Sequence, residues 1–162
     1  MRTFLLLAVA TLCIVVAGPG CSDDPAAPEG GSCSPLPFTG ITPTDEEGTV
    51  TGASGDGGWC HPGNGADPSQ PYFYPAYPNP FNPLTIVRFS LVEEAQVFVR
   101  IYDQDCKLVR TLVDDIQPAG ITHVAWNGED EQGIFQPDGI YACVLTVGEF
   151  KCYGNLEIDA VP

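Results

Sequence analysis

Hydrophobic and polar residues alternate in a series of short runs that fill the second half of the chain. In residues 84–91, Val87 and Phe89 fall on one face and Arg88 and Ser90 on the other, as the two-residue period of a β-strand requires. The runs with this character are residues 84–91, 95–102, 108–113, 121–126, 140–147 and 149–158. No segment after residue 20 sustains the 3.6-residue apolar period of a helix. The spacing predicts an all-β sandwich or barrel.

A proline-rich block indicates where the β domain starts. Residues 76–83 contain three prolines and two asparagines, which neither a helix nor a central strand accommodates. The block therefore marks the change from a linker to the folded domain, which we place at residues 71–162.

A tyrosine near the end of the chain indicates the type of sandwich. Tyr141 stands two residues before Cys143, which is the arrangement of a tyrosine corner in immunoglobulin-like domains. Its ring is expected to be buried, with the hydroxyl bonded to backbone upstream. Trp126 is the second structural residue that we single out, although it arrives later than the tryptophan of antibody domains. The predicted fold is a seven-stranded immunoglobulin-like β-sandwich.

The N-terminus has the features of an export signal. Arg2 precedes an apolar run at residues 4–17, and small residues follow; residues 1–20 therefore predict a secretory signal peptide. The run is too short for a membrane span, which needs about 20 apolar residues. Cys21 stands where a bacterial lipoprotein signal places its lipidated cysteine. The alternative is ordinary cleavage at the same bond, which leaves Cys21 as a free or paired thiol.

Charge is distributed unevenly along the chain. The sequence holds 21 acidic residues against six Lys and Arg, for a net charge of −15, which argues against nucleic acid as a partner. No Lys or Arg occurs between Arg2 and Arg88. Residues 21–70 are acidic and rich in Gly, Pro and Ser, so they predict a disordered linker that acts as an extended stalk.

Five short motifs stand in order along the predicted domain. They are residues 77–83 (YPNPFNP), 99–103 (V-x-I-Y-D), 108–112 (LVRTL), 126–133 (WNGEDEQG) and 139–141 (GIY). Together they resemble the Ig-like domain shared by the flagellar hook-capping protein FlgD and the C-terminal sorting domains of type IX secretion cargo. Cys106 stands where this family has a turn glycine, and residues 154–162 lack the basic-then-aliphatic finish of sorting domains. The resemblance implies a role in type IX secretion, in which the translocation machinery recognises such domains.

The last two predicted strands suggest a disulfide. If Val147 and Gly148 form the turn between them, Cys143 lies directly opposite Cys152. Opposed residues of an antiparallel pair have Cα atoms about 4.5–5.5 Å apart, which is within the range of a disulfide. We therefore expect a disulfide between Cys143 and Cys152.

The remaining cysteines and the histidines give no catalytic or metal site. Cys33 and Cys60 form a second candidate disulfide, which would close the stalk into a loop, and Cys106 is then left over. A nucleophilic role for Cys106 would need a neighbouring base, which the sequence does not nominate. His61 is expected in a loop and His123 on the solvent side of a strand, without the ligand spacing of a zinc site. We expect no catalytic residue, metal or cofactor.

These observations predict a non-catalytic, exported envelope protein. Its Ig-like domain is displayed on an acidic stalk and anchored through a lipid on Cys21, for binding or for structural display, with sheet edges and loops as the contact surface. The expected location is the bacterial outer membrane or cell surface, or the exterior. Expected partners are the membrane, through that lipid, and secretion machinery or another envelope protein. The alternative is that the C-terminal domain is a type IX secretion sorting signal.

Overall fold

The chain was analysed as a computed structural model, which describes residues 36, 38–52, 58–61, 65 and 67–159. These residues form seven strands: β1 (Tyr72–Tyr77), β2 (Thr85–Leu91), β3 (Ala95–Tyr102), β4 (Leu108–Gln117), β5 (Gly120–Trp126), β6 (Gly139–Val147) and β7 (Phe150–Ile158). No helix that could span a membrane is present in this part of the chain. The predicted signal peptide, Cys21 and Cys33 lie outside the described residues.

The strands form two sheets that enclose one core. The three-stranded sheet has the order β1-β2-β5, the four-stranded sheet has the order β4-β3-β6-β7, and all pairings are antiparallel. Alternate residues of β2 and β3 point between the sheets, as the period-2 pattern predicts, and include Val87, Phe89, Val97, Val99 and Ile101, all fully buried. The prediction of an all-β, seven-stranded immunoglobulin-like sandwich is confirmed.

β1 is a strand that the hydrophobic pattern does not predict. It pairs with β2 through Tyr74 opposite Arg88 and Tyr77 opposite Ile86, with a bulge between these pairs that contains Pro75. Proline lacks an N–H donor and is tolerated at bulges and on edge strands, and β1 lies at the edge of its sheet. The proline-rich block therefore begins at the end of the first strand and does not precede the folded domain.

Asn79, within that block, joins three parts of the chain. Its fully buried side-chain amide donates to the carbonyl of Thr42 at 3.2 Å and to that of Asn155 at 2.9 Å, while its Oδ1 accepts the N–H of Glu157 at 2.9 Å. The Asn79 backbone also exchanges two hydrogen bonds with Thr44. A buried amide with all these partners fixes the block against β7 and against the segment that precedes the sandwich.

The turn between β6 and β7 differs from the predicted turn by one residue. Gly148 and Glu149 are the turn residues, with Gly148 at φ 56°, a conformation that glycine adopts without a Cβ clash. Cys143 consequently lies opposite Gly154, and Cys152 lies opposite Leu145. The predicted Cys143–Cys152 disulfide is therefore wrong: Cys143 is a buried free thiol.

Cys152 is instead bonded to Cys60, with the two Cα atoms 6.2 Å apart. The predicted pairing of Cys33 with Cys60 is wrong, because Cys60 is bonded to Cys152. The disulfide reaches across 92 positions of the chain, so it ties the segment before the sandwich to the last strand. Sequence spacing could not identify this pair, because the contact depends on how residues 58–61 cross the edge of the sandwich.

Trp59 brings a large side chain from the acidic segment into the core. It is 2% exposed, and its ring centroid lies 4.8 Å from that of Phe73. The indole occupies the space above Gly154, where a Cβ would lie 2.2 Å from two ring carbons. The Trp59 N–H donates to the carbonyl of Tyr153 at 2.6 Å, which adds a short backbone pairing to the edge of β7.

The acidic segment is therefore not a free spacer along its whole length. Besides Trp59 and Cys60, the side chains of Thr42 and Thr44 are buried, and Thr44 Oγ1 donates to the carbonyl of Ala76 at 2.6 Å. The Asn155 amide donates to the carbonyl of Gly40 at 2.9 Å. Residues 40–44 and 58–60 thus pack against the sandwich that they precede. The rest of the predicted linker up to residue 35 lies outside the described residues.

Tyr141 and Trp126 occupy one end of the core. The Tyr141 hydroxyl donates to the carbonyl of Pro137 at 2.7 Å, and its ring meets that of Trp126 edge-on with centroids 5.4 Å apart. Trp126 is fully buried, and its Nε1 donates to the carbonyl of Glu129 at 2.9 Å. Tyr141 therefore has the buried ring and the upstream backbone bond of a tyrosine corner.

Cys106 lies in the turn between β3 and β4. Its φ is 63°, in the left-handed region that favours glycine, and glycine is the residue that the resembled family has here. Cys106 is disulfide-bonded, so the prediction that it is left over is wrong. Its partner is none of the other three described cysteines, since Cys60 and Cys152 pair together and Cys143 is free.

Candidate functional site

Two edges of the sandwich are covered by the segment at residues 58–61. This segment bonds to β7 through Trp59 and Tyr153, and to β1 through two backbone hydrogen bonds between Cys60 and Phe73, of 2.9 and 2.6 Å. A strand edge that already has a partner offers no row of free N–H and C=O groups. At these positions the two edges are therefore not available for the addition of a strand from another protein.

The edge of β4 has hydrogen-bond partners near its start and charged side chains further along the strand. Glu131 donates its N–H to the carbonyl of Val109 at 3.2 Å, and its Oε1 accepts the N–H of Thr111 at 2.6 Å. Asp114 and Asp115 follow as exposed residues. Charged side chains on an edge discourage pairing with another strand, so β4 is also a poor contact edge.

The middle of the outer face of the four-stranded sheet is buried. Its outward side chains there include Arg100, Tyr102, Val144 and Thr146, each of which is more than nine-tenths buried. This part of the face therefore offers little free surface to a partner molecule, whereas Lys151, opposite Thr146, is exposed.

The acidic side chains near Tyr141 do not form a metal cluster. A depression of about 280 Å³ lies beside Asp103, Asp105, Asp138 and Tyr141, but no group of three metal-ligating side chains forms in this part of the chain. Burial raises the pKa of the Cys143 thiol far above its usual range, which removes the thiolate that a cysteine nucleophile needs. Cys106 cannot act as a nucleophile while it is disulfide-bonded.

The outer face of the three-stranded sheet carries an unusual set of side chains. We call it the tyrosine face; it consists of Tyr72, Tyr74, Tyr77, Ile86, Arg88, Ser90, Ile121, His123 and Ala125. The strand registers arrange these residues in three rows across β1, β2 and β5: Tyr72–Ser90–Ile121, Tyr74–Arg88–His123 and Tyr77–Ile86–Ala125. β1, β2 and β5 contain no Asp or Glu, although the chain holds 21 acidic residues.

Arg88 lies at the centre of the tyrosine face. Its guanidinium carbon is 4.5 Å from the ring centroid of Tyr74 and 5.7 Å from that of Tyr77, which is the geometry of cation–π contacts. Arg88 Nε is buried and has no hydrogen-bond partner. Among the described residues, no carboxylate forms an ion pair with Arg88, and the rings of Tyr74 and Tyr77 lie against its guanidinium.

His61 extends the aromatic cluster beside Arg88. Its ring is nearly parallel to that of Tyr74, at 25° and 6.4 Å between centroids, and Tyr72 meets Tyr74 edge-on at 6.1 Å. Burial, and to a lesser degree the nearby positive charge of Arg88, lower the pKa of His61 below 6.5. His61 is therefore neutral at pH 7, which leaves Arg88 as the permanent cation of this cluster.

Of the residues singled out from the sequence, His123 lies on the tyrosine face and His61 lies beside it, and the others lie elsewhere. Trp126 and Tyr141 support the core, while Cys143 and Cys152 lie between the sheets; Cys21 and Cys33 fall outside the described residues. The signal that could have identified the tyrosine face is the alternation of tyrosines in β1. The prolines around them conceal the strand, and without the strand their common face is not visible.

A family model identifies the type of domain over part of the chain. Residues 85–148 match the family model of the FlgD Ig-like domain, which spans β2 to β6 and confirms the resemblance for this region. Among solved structures, the chain is similar to dimeric latent PorU from Porphyromonas gingivalis, at 20% sequence identity and a TM-score of 0.45. That similarity covers 60% of this chain and 10% of the PorU chain. No curated protein matches the chain.

Proposed function

We propose that the chain is an exported, non-catalytic protein of the bacterial cell envelope that displays its Ig-like domain. The observation that carries this proposal is the Cys60–Cys152 disulfide, together with the disulfide-bonded state of Cys106. Disulfides form and persist in oxidising compartments outside the cytoplasm. The export-signal features of residues 1–20 are consistent with such a location.

The means of attachment is a lipid on Cys21, and the displayed surface is the tyrosine face. Residues 22–25, Ser-Asp-Asp-Pro, are polar, as suits a tether that leaves a membrane surface. The tyrosine face suits contact with a partner because the sheet edges at β1, β7 and the start of β4 already have partners within the chain.

Metabolic labelling with a fatty-acid analogue tests the attachment. The wild-type chain, expressed in a bacterial host with its full N-terminus, is expected to take up the label and to fractionate with membranes. Cys21→Ser is expected to lose both properties, whereas Cys143→Ala, which removes a buried thiol elsewhere, should retain them. An unlabelled wild-type chain in the soluble fraction would exclude the lipid anchor.

A type IX secretion sorting signal is the second candidate, favoured by the motifs at residues 77–83 and 139–141. The Cys60–Cys152 disulfide limits how such a signal could be removed. A cut between residues 61 and 72 would leave the two fragments joined through this bond. Release of the domain after such a cut would require reduction of this bond. An epitope tag after Pro162 distinguishes the candidates: a displayed domain keeps the tag at the cell surface, and a removed sorting signal loses it.

A further inference from the structure

We propose that the tyrosine face binds a saccharide that carries a carboxylate group, with Arg88 as the residue that receives the carboxylate. This inference rests on the proposed function to the extent that the face must be exposed outside the cell. The argument starts from Arg88, a half-buried cation without a carboxylate partner among the described residues, in a chain of net charge −15.

The local structure does not supply the missing anion. The turn at residues 45–49 packs close to Tyr77, since a Cβ on Gly48 would lie 3.2 Å from the Tyr77 ring. The carboxylate of Asp45 in this turn is occupied by the N–H groups of Glu47 and Thr49, at 3.1 and 2.7 Å. No ion pair joins Arg88 to any acid of the turn, so its charge remains available to an external ligand.

Arg88 is held in a geometry that suits a carboxylate. The contacts with Tyr74 and Tyr77 restrict the guanidinium. Nε is buried and has no hydrogen-bond partner, while the side chain as a whole is half-buried. A guanidinium presents paired N–H donors that match the two oxygens of a carboxylate. Because its orientation is fixed beforehand, little side-chain entropy is lost when a ligand binds.

The surroundings of Arg88 favour a hydroxyl-rich ligand. The hydroxyls of Tyr72, Tyr74 and Tyr77 make no hydrogen bond to a described residue, and each can both donate and accept. His123 is exposed in the row of Arg88. Aromatic rings with free polar groups suit the C–H faces and hydroxyls of sugar rings.

A protein partner fits this face less well. Ile121 is its only large hydrophobic side chain with more than half of its surface exposed. A protein–protein interface of ordinary size buries about 800 Å² on each partner around an apolar centre, and the tyrosine face does not offer such a centre.

The net charge limits the ligand in size. At physiological ionic strength electrostatic interactions are screened over about 8 Å, so a short ligand on the tyrosine face interacts mainly with Arg88. A long polyanion would also extend over the acidic remainder of the chain and be repelled. We therefore expect a saccharide with few carboxylates, such as a uronic acid unit within a short or otherwise neutral glycan.

The test is a titration of the full exported chain with trigalacturonate, followed by NMR at His61, His123 and the tyrosine rings. We expect saturable shifts at His61, Tyr72, Tyr74 and Tyr77, and a rise in the pKa of His61 as the bound carboxylate offsets the charge of Arg88. Arg88→Gln should weaken binding by about tenfold or more, as loss of a charge-assisted bidentate contact predicts. Neutral galactotriose should bind at least about tenfold more weakly than trigalacturonate for the same reason.

Lys151→Gln is the matched control. It removes the same charge from an exposed position on β7, away from the tyrosine face, and should change the affinity by less than about twofold, because an exposed charge at that distance is screened. Equal losses in the two variants would overturn the proposal, since they would indicate nonspecific attraction. The proposal also fails if trigalacturonate does not bind, or if a short aspartate-containing peptide binds in its place. None of these results depends on Cys21, so the lipid-labelling experiment tests the proposed function separately.

Discussion

At the scale of single residues, the burial of Trp59 is the feature that the sequence predicts least well, because it depends on a contact with a distant part of the chain. Trp59 lies in a segment rich in glycine and acids, where nothing in the local pattern predicts a core residue. Its burial depends on Gly154, which leaves room for the indole on the inner side of β7. By contrast, the position of Tyr141 is readable from its neighbours, because a tyrosine corner is a local motif.

The contact between Trp59 and Gly154 predicts a specific loss of stability. Gly154→Ala would place a methyl group 2.2 Å from indole carbons, and overpacking of this kind costs about 1–3 kcal/mol of unfolding free energy. Urea denaturation measures the change. In a Trp59→Ala background the same substitution should cost much less, as expected for residues in contact. Equal costs in both backgrounds would contradict the packing described here.

The environment of His61 predicts how stability depends on pH. Because its pKa is lowered in the folded state, the unfolded chain binds the proton more readily. The contribution of His61 is fully present above about pH 6.5 and is lost as the pH falls through the lowered pKa of the folded state. His61→Gln should therefore flatten the stability curve just below pH 6.5. An unchanged curve would show that His61 is not buried as described.

Removal of the charge on Arg88 should also change the titration of His61. Arg88→Gln is expected to raise the pKa of His61, measured by NMR, because a nearby positive charge disfavours protonation. The pKa should stay below its ordinary value, since burial is the larger cause of the shift. An unchanged pKa of His61 would contradict the electrostatic interaction between Arg88 and His61.

At the scale of elements, alternation predicts the strands but not the way in which they are closed into one unit. β2, β3, β5, β6 and β7 begin and end within two residues of the predicted runs. β1 is not predicted because Pro75 lies in a bulge that the pattern does not reveal. The β6–β7 register depends on whether Gly148 is the first or the second residue of the turn, which the pattern does not distinguish. The Cys60–Cys152 pair and the backbone contacts of residues 58–60 depend on contacts between distant parts of the chain, so no local pattern encodes them.

The long disulfide should contribute strongly to stability. In the chain-entropy model, a bond that closes a loop of 92 residues stabilises the fold by about 4–5 kcal/mol. Cys60→Ser should therefore lower the melting temperature markedly under oxidising conditions and much less after reduction.

Cys143→Ala is the control for this experiment. Cys143 is a free, buried thiol, so its removal should have the same effect under oxidising and reducing conditions. If Cys143→Ala were instead the redox-dependent variant, the pairing described here would be wrong.

At the scale of the whole molecule, the central claim is that an exported chain retains a disulfide-closed Ig-like domain. The fold class, the family match over residues 85–148 and the disulfide-bonded cysteines all bear on it. The tyrosine face could not be predicted, because it requires three strands in register, and one of those strands is not visible in the pattern.

The most direct test is the intact mass of the chain recovered from the envelope of its native host, measured before and after reduction. We expect a mass that begins at a lipidated Cys21, ends at Pro162, and increases on reduction by the hydrogens added to its disulfides. A mass that lacks the residues after the acidic segment would contradict the account, because the Ig-like domain would then be a removable signal and the function would lie in the peptide left behind.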